Sequence, residues 1–187
     1  LREDSRLRRV ALMSSLGNCC IMLFPHYQAL ARERMDANFA SLMIWIAVQN
    51  FGTALFSSIA GWIADRLGNR IVLHAITAGL ASVPVLALAI SRSSFAPSAF
   101  CAVFFLIGLT PVFLRIVQHY TLELAAPIDH PRYLAAVAIC NALPFLLSAL
   151  VGYLVDAVGY ETVFFGVTTT ILVSFALTFR LSEPRVE

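Results

Sequence analysis

The chain has 187 residues, of which 59% are hydrophobic and only 13% charged, with a mean hydropathy of +0.81 and a net charge of +2. A soluble domain averages roughly 45–50% apolar and about 25% charged residues. There are too few ions here to solvate a surface, which excludes a soluble domain, a disordered chain, a collagen-like fibre and a disulfide-rich secreted fold. All 13 basic residues are arginine and none sits in a basic tract interleaved with aromatics, so nucleic acid is excluded as a partner.

The charges leave six uncharged runs: Val10–Ala31, Ala37–Ala64, Ile71–Ser91, Ser93–Leu114, Tyr133–Val155 and Thr162–Phe179. Their lengths are 22, 28, 21, 22, 23 and 18 residues. About 20 helical residues cross a hydrocarbon core of about 30 Å, so each run is long enough to span and too long for a buried strand. Backbone groups must be paired internally in lipid, which makes the runs helices. The short alternating segments of a β-barrel are absent. The expected fold class is an all-α membrane protein. Its six transmembrane helices fall at about 10–31, 40–64, 71–91, 97–122, 133–155 and 161–180. Residues 1–9 read as a cytoplasmic connector, 10–180 as the bundle and 181–187 as a cytoplasmic tail. The first run is too long for a signal peptide and lacks its cleavage pattern. Ten arginines fall on one side of this arrangement and three on the other. By the positive-inside rule both termini are cytoplasmic, and the protein is a multi-pass protein of the cell (inner or plasma) membrane, with membrane lipid as its surroundings.

Polar residues inside spans point to a pathway or to bonds between helices. In chain order these are Asn18, Gln49 with Asn50, Thr110 beside Pro111, and Asn141 near Pro144. Each is a candidate cavity-lining residue, with interhelical bonding as the alternative. Gln49 and Asn50 differ by roughly 100° around their helix, so one of the two is expected to face a cavity. Pro25 can break helix one locally and free a carbonyl, beside His26, Tyr27 and Gln28. Arg115, His119 and Glu123 share one face at the end of helix four, and Arg115 lies inside the span, where it must snorkel or pair. Glu123 is within reach of Arg66, Arg70 and Arg132 across loops, as an ionic lock that opens in a two-state transition. The four cysteines and four histidines have no ligand spacing, so neither a metal nor a cofactor is expected.

Between helices two and three the chain reads Gly61-Trp-Ile-Ala-Asp65-Arg66-Leu-Gly68-Asn69-Arg70. Gly61 allows another helix to approach closely. Asp65 can meet the positive N-terminus of a neighbouring helix, Gly68 allows a tight turn, and the arginines anchor the loop. The G-x-x-x-D-x-x-G spacing recurs 91 residues later as Gly152, Asp156 and Gly159. Three helices separate the copies, so they face opposite sides, as expected of two inverted three-helix repeats.

Gly61, Asp65, Arg66, Gly68 and Arg70 resemble the loop motif of the major facilitator superfamily, G-x-x-x-D-[RK]-x-G-[RK]-[RK], with Asn69 departing at one basic position. The resemblance covers essentially the whole chain. It implies one six-helix half of a twelve-helix permease, moving a small solute by alternating access against a missing second half of the same protein. It also implies that helices one, two, four and five line the cavity and that three and six are peripheral. The charged start and the segment Tyr120–Pro127 followed by Arg132 look like a C-terminal half, with the N-terminal half as the alternative. An intramembrane enzyme is the rival reading, and no G-x-S-x motif inside a span or clustered metal ligands support it. A non-transporting membrane scaffold stays open as a third.

Overall fold

The computed structural model describes residues 4–35, 38–93 and 97–182. Residues 1–3 of the expected connector and 183–187 of the expected tail lie outside them. Asp4 caps the first helix: in extended backbone, its carboxylate accepts the N–H groups of Arg6 at 2.7 Å and Leu7 at 3.2 Å. Helix α1 therefore starts at Ser5, inside the stretch expected to be a connector, and runs to Met35. At Cys19–Leu23 it tightens into a 3₁₀ stretch. Pro25 has no N–H to offer the Ile21 carbonyl, and Phe24 donates to that oxygen instead, three residues on.

Helix α2, Phe39–Leu67, is capped by Asn38, whose side-chain oxygen accepts from the Ser41 N–H at 2.9 Å. It stops at Gly68, whose backbone (φ 88°, ψ 159°) no side chain would tolerate comfortably. Helix α3, Asn69–Ser91, follows at once. Helix α4, Ser98–Leu124, is interrupted at Gly108, three residues before Pro111. Helix α5 covers His130–Thr178 but breaks at Gly159, which adopts φ 81° and ψ 161°. Its first arm is residues 130–158 and its second 160–178. The two motif glycines, Gly68 and Gly159, thus share one backbone conformation. Five helical segments are long and apolar enough to cross a membrane, and the fifth holds the two runs expected to be separate helices.

Burial orders the bundle. Tyr27, Phe113, Tyr120 and Phe164 fill the centre among α1, α4 and the second arm of α5, with Tyr27 edge-on to Phe164 at 5.3 Å. Trp45 stacks on Phe104 at 5.2 Å and pins α2 to the start of α4. Small residues on both sides set the close crossing of α2 with α4. A Cβ on Gly52 would lie 2.4 Å from the Phe105 carbonyl oxygen, and one on Gly108 only 2.7 Å from the Thr53 nitrogen. The Thr53 hydroxyl also donates to the Gly108 carbonyl at 3.1 Å. Among the described residues, α2 and the first arm of α5 present the largest outward apolar faces, including Phe51, Ile59, Trp62, Leu146 and Tyr153. Lipid is the solvent those faces require.

Candidate functional site

The α2–α3 turn and the last turns of α4 come together at one end of the bundle, the motif face. They enclose a cleft of about 510 Å³ lined by Gly61, Asp65, Asn69, Arg115, His119 and Glu123 among others. Two carboxylates, a guanidinium and an imidazole therefore share one concavity. Arg115, His119 and Glu123 lie on one α4 face because they are spaced by four residues, slightly more than one turn. Asp65 reaches the cleft from the end of α2, where Gly68 stops the helix. Such a set has the chemistry to hydrogen-bond a polar solute or to exchange ion-pair partners.

A second cleft of about 400 Å³ adjoins it between α4 and the first arm of α5. Gln118, His119 and Asn141 are its polar lining, and Leu122, Leu134 and Val137 are among its apolar lining. His119 belongs to both clefts. Gln118 had no sequence signal beyond being polar in the last turns of a span.

Asn141 is held in place by α1. The Ser14 hydroxyl donates to its side-chain oxygen at 2.7 Å, and the Asn18 amide donates to its backbone carbonyl at 3.0 Å. The Ser15 hydroxyl donates to the Cys140 carbonyl at 2.9 Å. Pro144, with no N–H, cannot serve that carbonyl within the helix, so Ser15 replaces the lost bond. For Asn18 this seam matches the second of the two sequence readings, a bond between helices. Asn18 is fully buried and bonds helix to helix rather than lining either cleft. Thr110 is buried against the Cys20 sulfur at 3.8 Å. Asn50 is exposed and turns its amide back to the Ile46 carbonyl at 3.0 Å, while Gln49 lies half-buried at the Gly108 crossing. Neither lines these two clefts. Of the five cavity candidates, Asn141 is the one the structure brings to a cleft wall.

The arginines of the loop motif point elsewhere. Arg66 lies over the Trp62 ring at 4.3 Å, a cation–π pairing. Arg70 donates to the Phe179 carbonyl at 3.2 Å, at the end of the second arm of α5. Arg132 is exposed at the start of α5. Gly61 meets nothing within 4 Å of where a Cβ would stand. The close helix approach expected there is made within the chain at Gly52 instead, and Gly61 is left on the cleft wall. Its counterpart Gly152 lies under His26, whose Cε1 is 3.8 Å from the same construction. Among the described residues no three His, Cys, Asp or Glu side chains gather as a metal site.

A bundle of long apolar helices, carrying a G-x-x-x-D-R-x-G turn that opens onto a charged cleft, has the build of a membrane transporter. Residues 10–187 match the description "Major Facilitator Superfamily", and the chain belongs to that family. It is an integral multi-pass membrane protein of the major facilitator transporter type. No curated protein matches it.

Proposed function

We propose that the chain is one six-span bundle of a permease that moves a small solute by alternating access, with a second six-helix bundle closing the pathway. The two arms of α5 count as separate spans, turned at Gly159 as α2 and α3 turn at Gly68. The chain then consists of two inverted three-helix units. The arginine balance puts both termini and the Asp65–Arg70 turn in the cytoplasm.

The observation that carries this reading is the polar wall of α4. Arg115, Gln118 and His119 are exposed along a helix of otherwise apolar composition and open into two joined clefts. Polar and ionisable groups inside a span face a bundle interior or a water-filled cavity, not lipid. A second bundle across that wall supplies the cover. Asp65, at the rim of the same wall, can then meet the N-terminus of a helix from the other bundle and stabilise the state open to the outside. Glu123, with Arg132 at the start of α5, is the gating pair on the cytoplasmic side. The test is Asp65→Asn in the full-length transporter: turnover falls while solute affinity changes little, and unchanged turnover removes Asp65 from the cycle.

A further inference from the structure

At the face opposite the motif, the ends of three helical segments converge on one carboxylate. Glu161, at the start of the second arm of α5, accepts from Arg34 of α1 at 2.6 Å and from Arg92, just past α3, at 3.1 Å. Arg34 also donates to the Ser91 hydroxyl at 3.4 Å and lies 5.8 Å over the Tyr160 ring. At the motif face the same kinds of ends converge, among the described residues, on backbone carbonyls. Arg70, at the start of α3, donates to the Phe179 carbonyl, and Tyr120, near the end of α4, donates to the Ser182 carbonyl at 2.5 Å. Arg9 of α1 adds a bond of 3.4 Å to the Arg180 carbonyl.

The two sets correspond. Arg70 and Glu161 are 91 residues apart, as are Ser91 and Ser182, and so are the two motif glycines that precede them. In the first set the end of helix one and the end of α3 grip the start of the second α5 arm. In the second set the end of that arm takes bonds from the start of α3 and from the end of α4. Exchange of the two repeats relates the Arg34–Ser91 bond to the Tyr120–Ser182 bond, and the α3–arm bond of one face to that of the other.

We infer that α3 and the second arm of α5 are locked together by a pair of repeat-related clasps, one at each membrane face, and that the far-face clasp hangs on the single carboxylate of Glu161. The faces then differ in what can release them. Backbone carbonyls cannot be neutralised, and among the described residues they are the acceptors of the motif-face clasp. Removing one charge at position 161 undoes both described ionic bonds of the far clasp and leaves the other clasp intact. The pair α3 and second arm therefore behaves as one rigid strut whose far end is released by the loss of a single carboxylate charge. This geometry needs no second bundle, so it stands or falls apart from the transport reading.

Hydrogen exchange on the full chain in lipid nanodiscs tests it, because local opening is read segment by segment. Glu161→Gln is expected to speed exchange in residues 88–93 and 160–165 by roughly fivefold or more, the factor that follows from losing about 1 kcal/mol. Residues 69–74 and 176–181 stay unchanged. Arg70→Gln is expected to do the reverse. Should Glu161→Gln not fold, Arg92→Gln leaves the Arg34 bond in place and gives a smaller rise confined to the same far segments. The exchanged pair Arg34→Glu with Glu161→Arg then recovers part of the protection. Equal rises at both faces, or none at the far face, overturn the clasp.

Discussion

The Asn18 amide joins α1 to α5 by a bond to the Asn141 carbonyl, deep in the bundle. Interhelical side-chain bonds in membranes average about 0.6 kcal/mol, so Asn18→Ala should lower the unfolding midpoint modestly and leave any solute affinity intact. Asn141→Ala should cost more than Asn18→Ala, because it strands the buried Ser14 hydroxyl, and it should also weaken solute binding. A loss of binding in Asn18→Ala equal to that in Asn141→Ala would put both on the pathway. Sequence alone singled out both amides by polarity in an apolar run. It could not tell them apart, since what separates them is whether the neighbour is a helix or a cleft. Asp4 carried no such signal and is held by three bonds, two to N–H groups and one from the Tyr133 hydroxyl. That hydroxyl bond, the Leu7 and Arg6 N–H bonds and the Arg6 charge outweigh desolvation and depress its pKa below the ordinary 3.8. A depressed folded value means the stabilisation is complete above pH 3.8 and is lost as pH falls through the lower value. Exchange at the Arg6 and Leu7 amides, corrected for intrinsic rate, should therefore stay flat from pH 7 to pH 5 and rise below pH 4. Asp4→Asn should abolish that rise.

Element boundaries follow from capping and proline chemistry more than from hydropathy. The apolar runs fixed where helices lie, because an uncharged stretch of 18 or more residues has few other fates. They did not reveal that α1 begins at Ser5, since its first turns are charged and are stabilised by a cap. Nor did they show that the Pro25 distortion falls at residues 19–23, or that the last two runs are divided at the single residue Gly159. Glycines spell out the same lesson. Gly61 and Gly52 look alike in sequence, yet one wall is open and the other touches backbone. Gly52→Ala should destabilise by about 1–3 kcal/mol, the usual range for overpacking. Gly61→Ala should leave stability unchanged or raise it by up to about 1 kcal/mol through helix propensity. Gly159→Ala has space but must hold a positive φ with extended ψ, at a cost of about 1–3 kcal/mol. Thermal unfolding of the three variants in one detergent checks the order. A Gly61 variant as unstable as Gly52→Ala would contradict the open wall.

On the scale of the whole molecule, the family was legible from five residues of one turn, because that turn has a spacing few loops share. The cleft was legible only in part: the Arg115–Glu123 face followed from helical spacing, whereas its pairing with Asp65 needed the packing of α4 against α2. Topology is open to direct test. With the arginine balance of ten to three, single cysteines near position 68 and near position 159 should react with impermeant reagents from opposite sides of the membrane. Labelling from the same side would undo the inverted arrangement. The strongest test concerns transport by this bundle alone. Rocking of one bundle against another requires two walls, and the α4 wall, with Arg115, Gln118 and His119 exposed, is one. Reconstituted alone in liposomes, residues 1–187 should give no saturable uptake of any solute that the full transporter carries. The polar wall faced to lipid is costly, so the isolated chain should also self-associate through it. Crosslinking from a cysteine at position 118 should then exceed crosslinking from one at position 172, which is exposed on the second α5 arm. Co-expression with a second six-helix bundle should restore uptake and suppress the crosslink at 118. Saturable uptake by residues 1–187 without a second bundle would mean that two copies form the pathway between them, with the α4 walls facing each other.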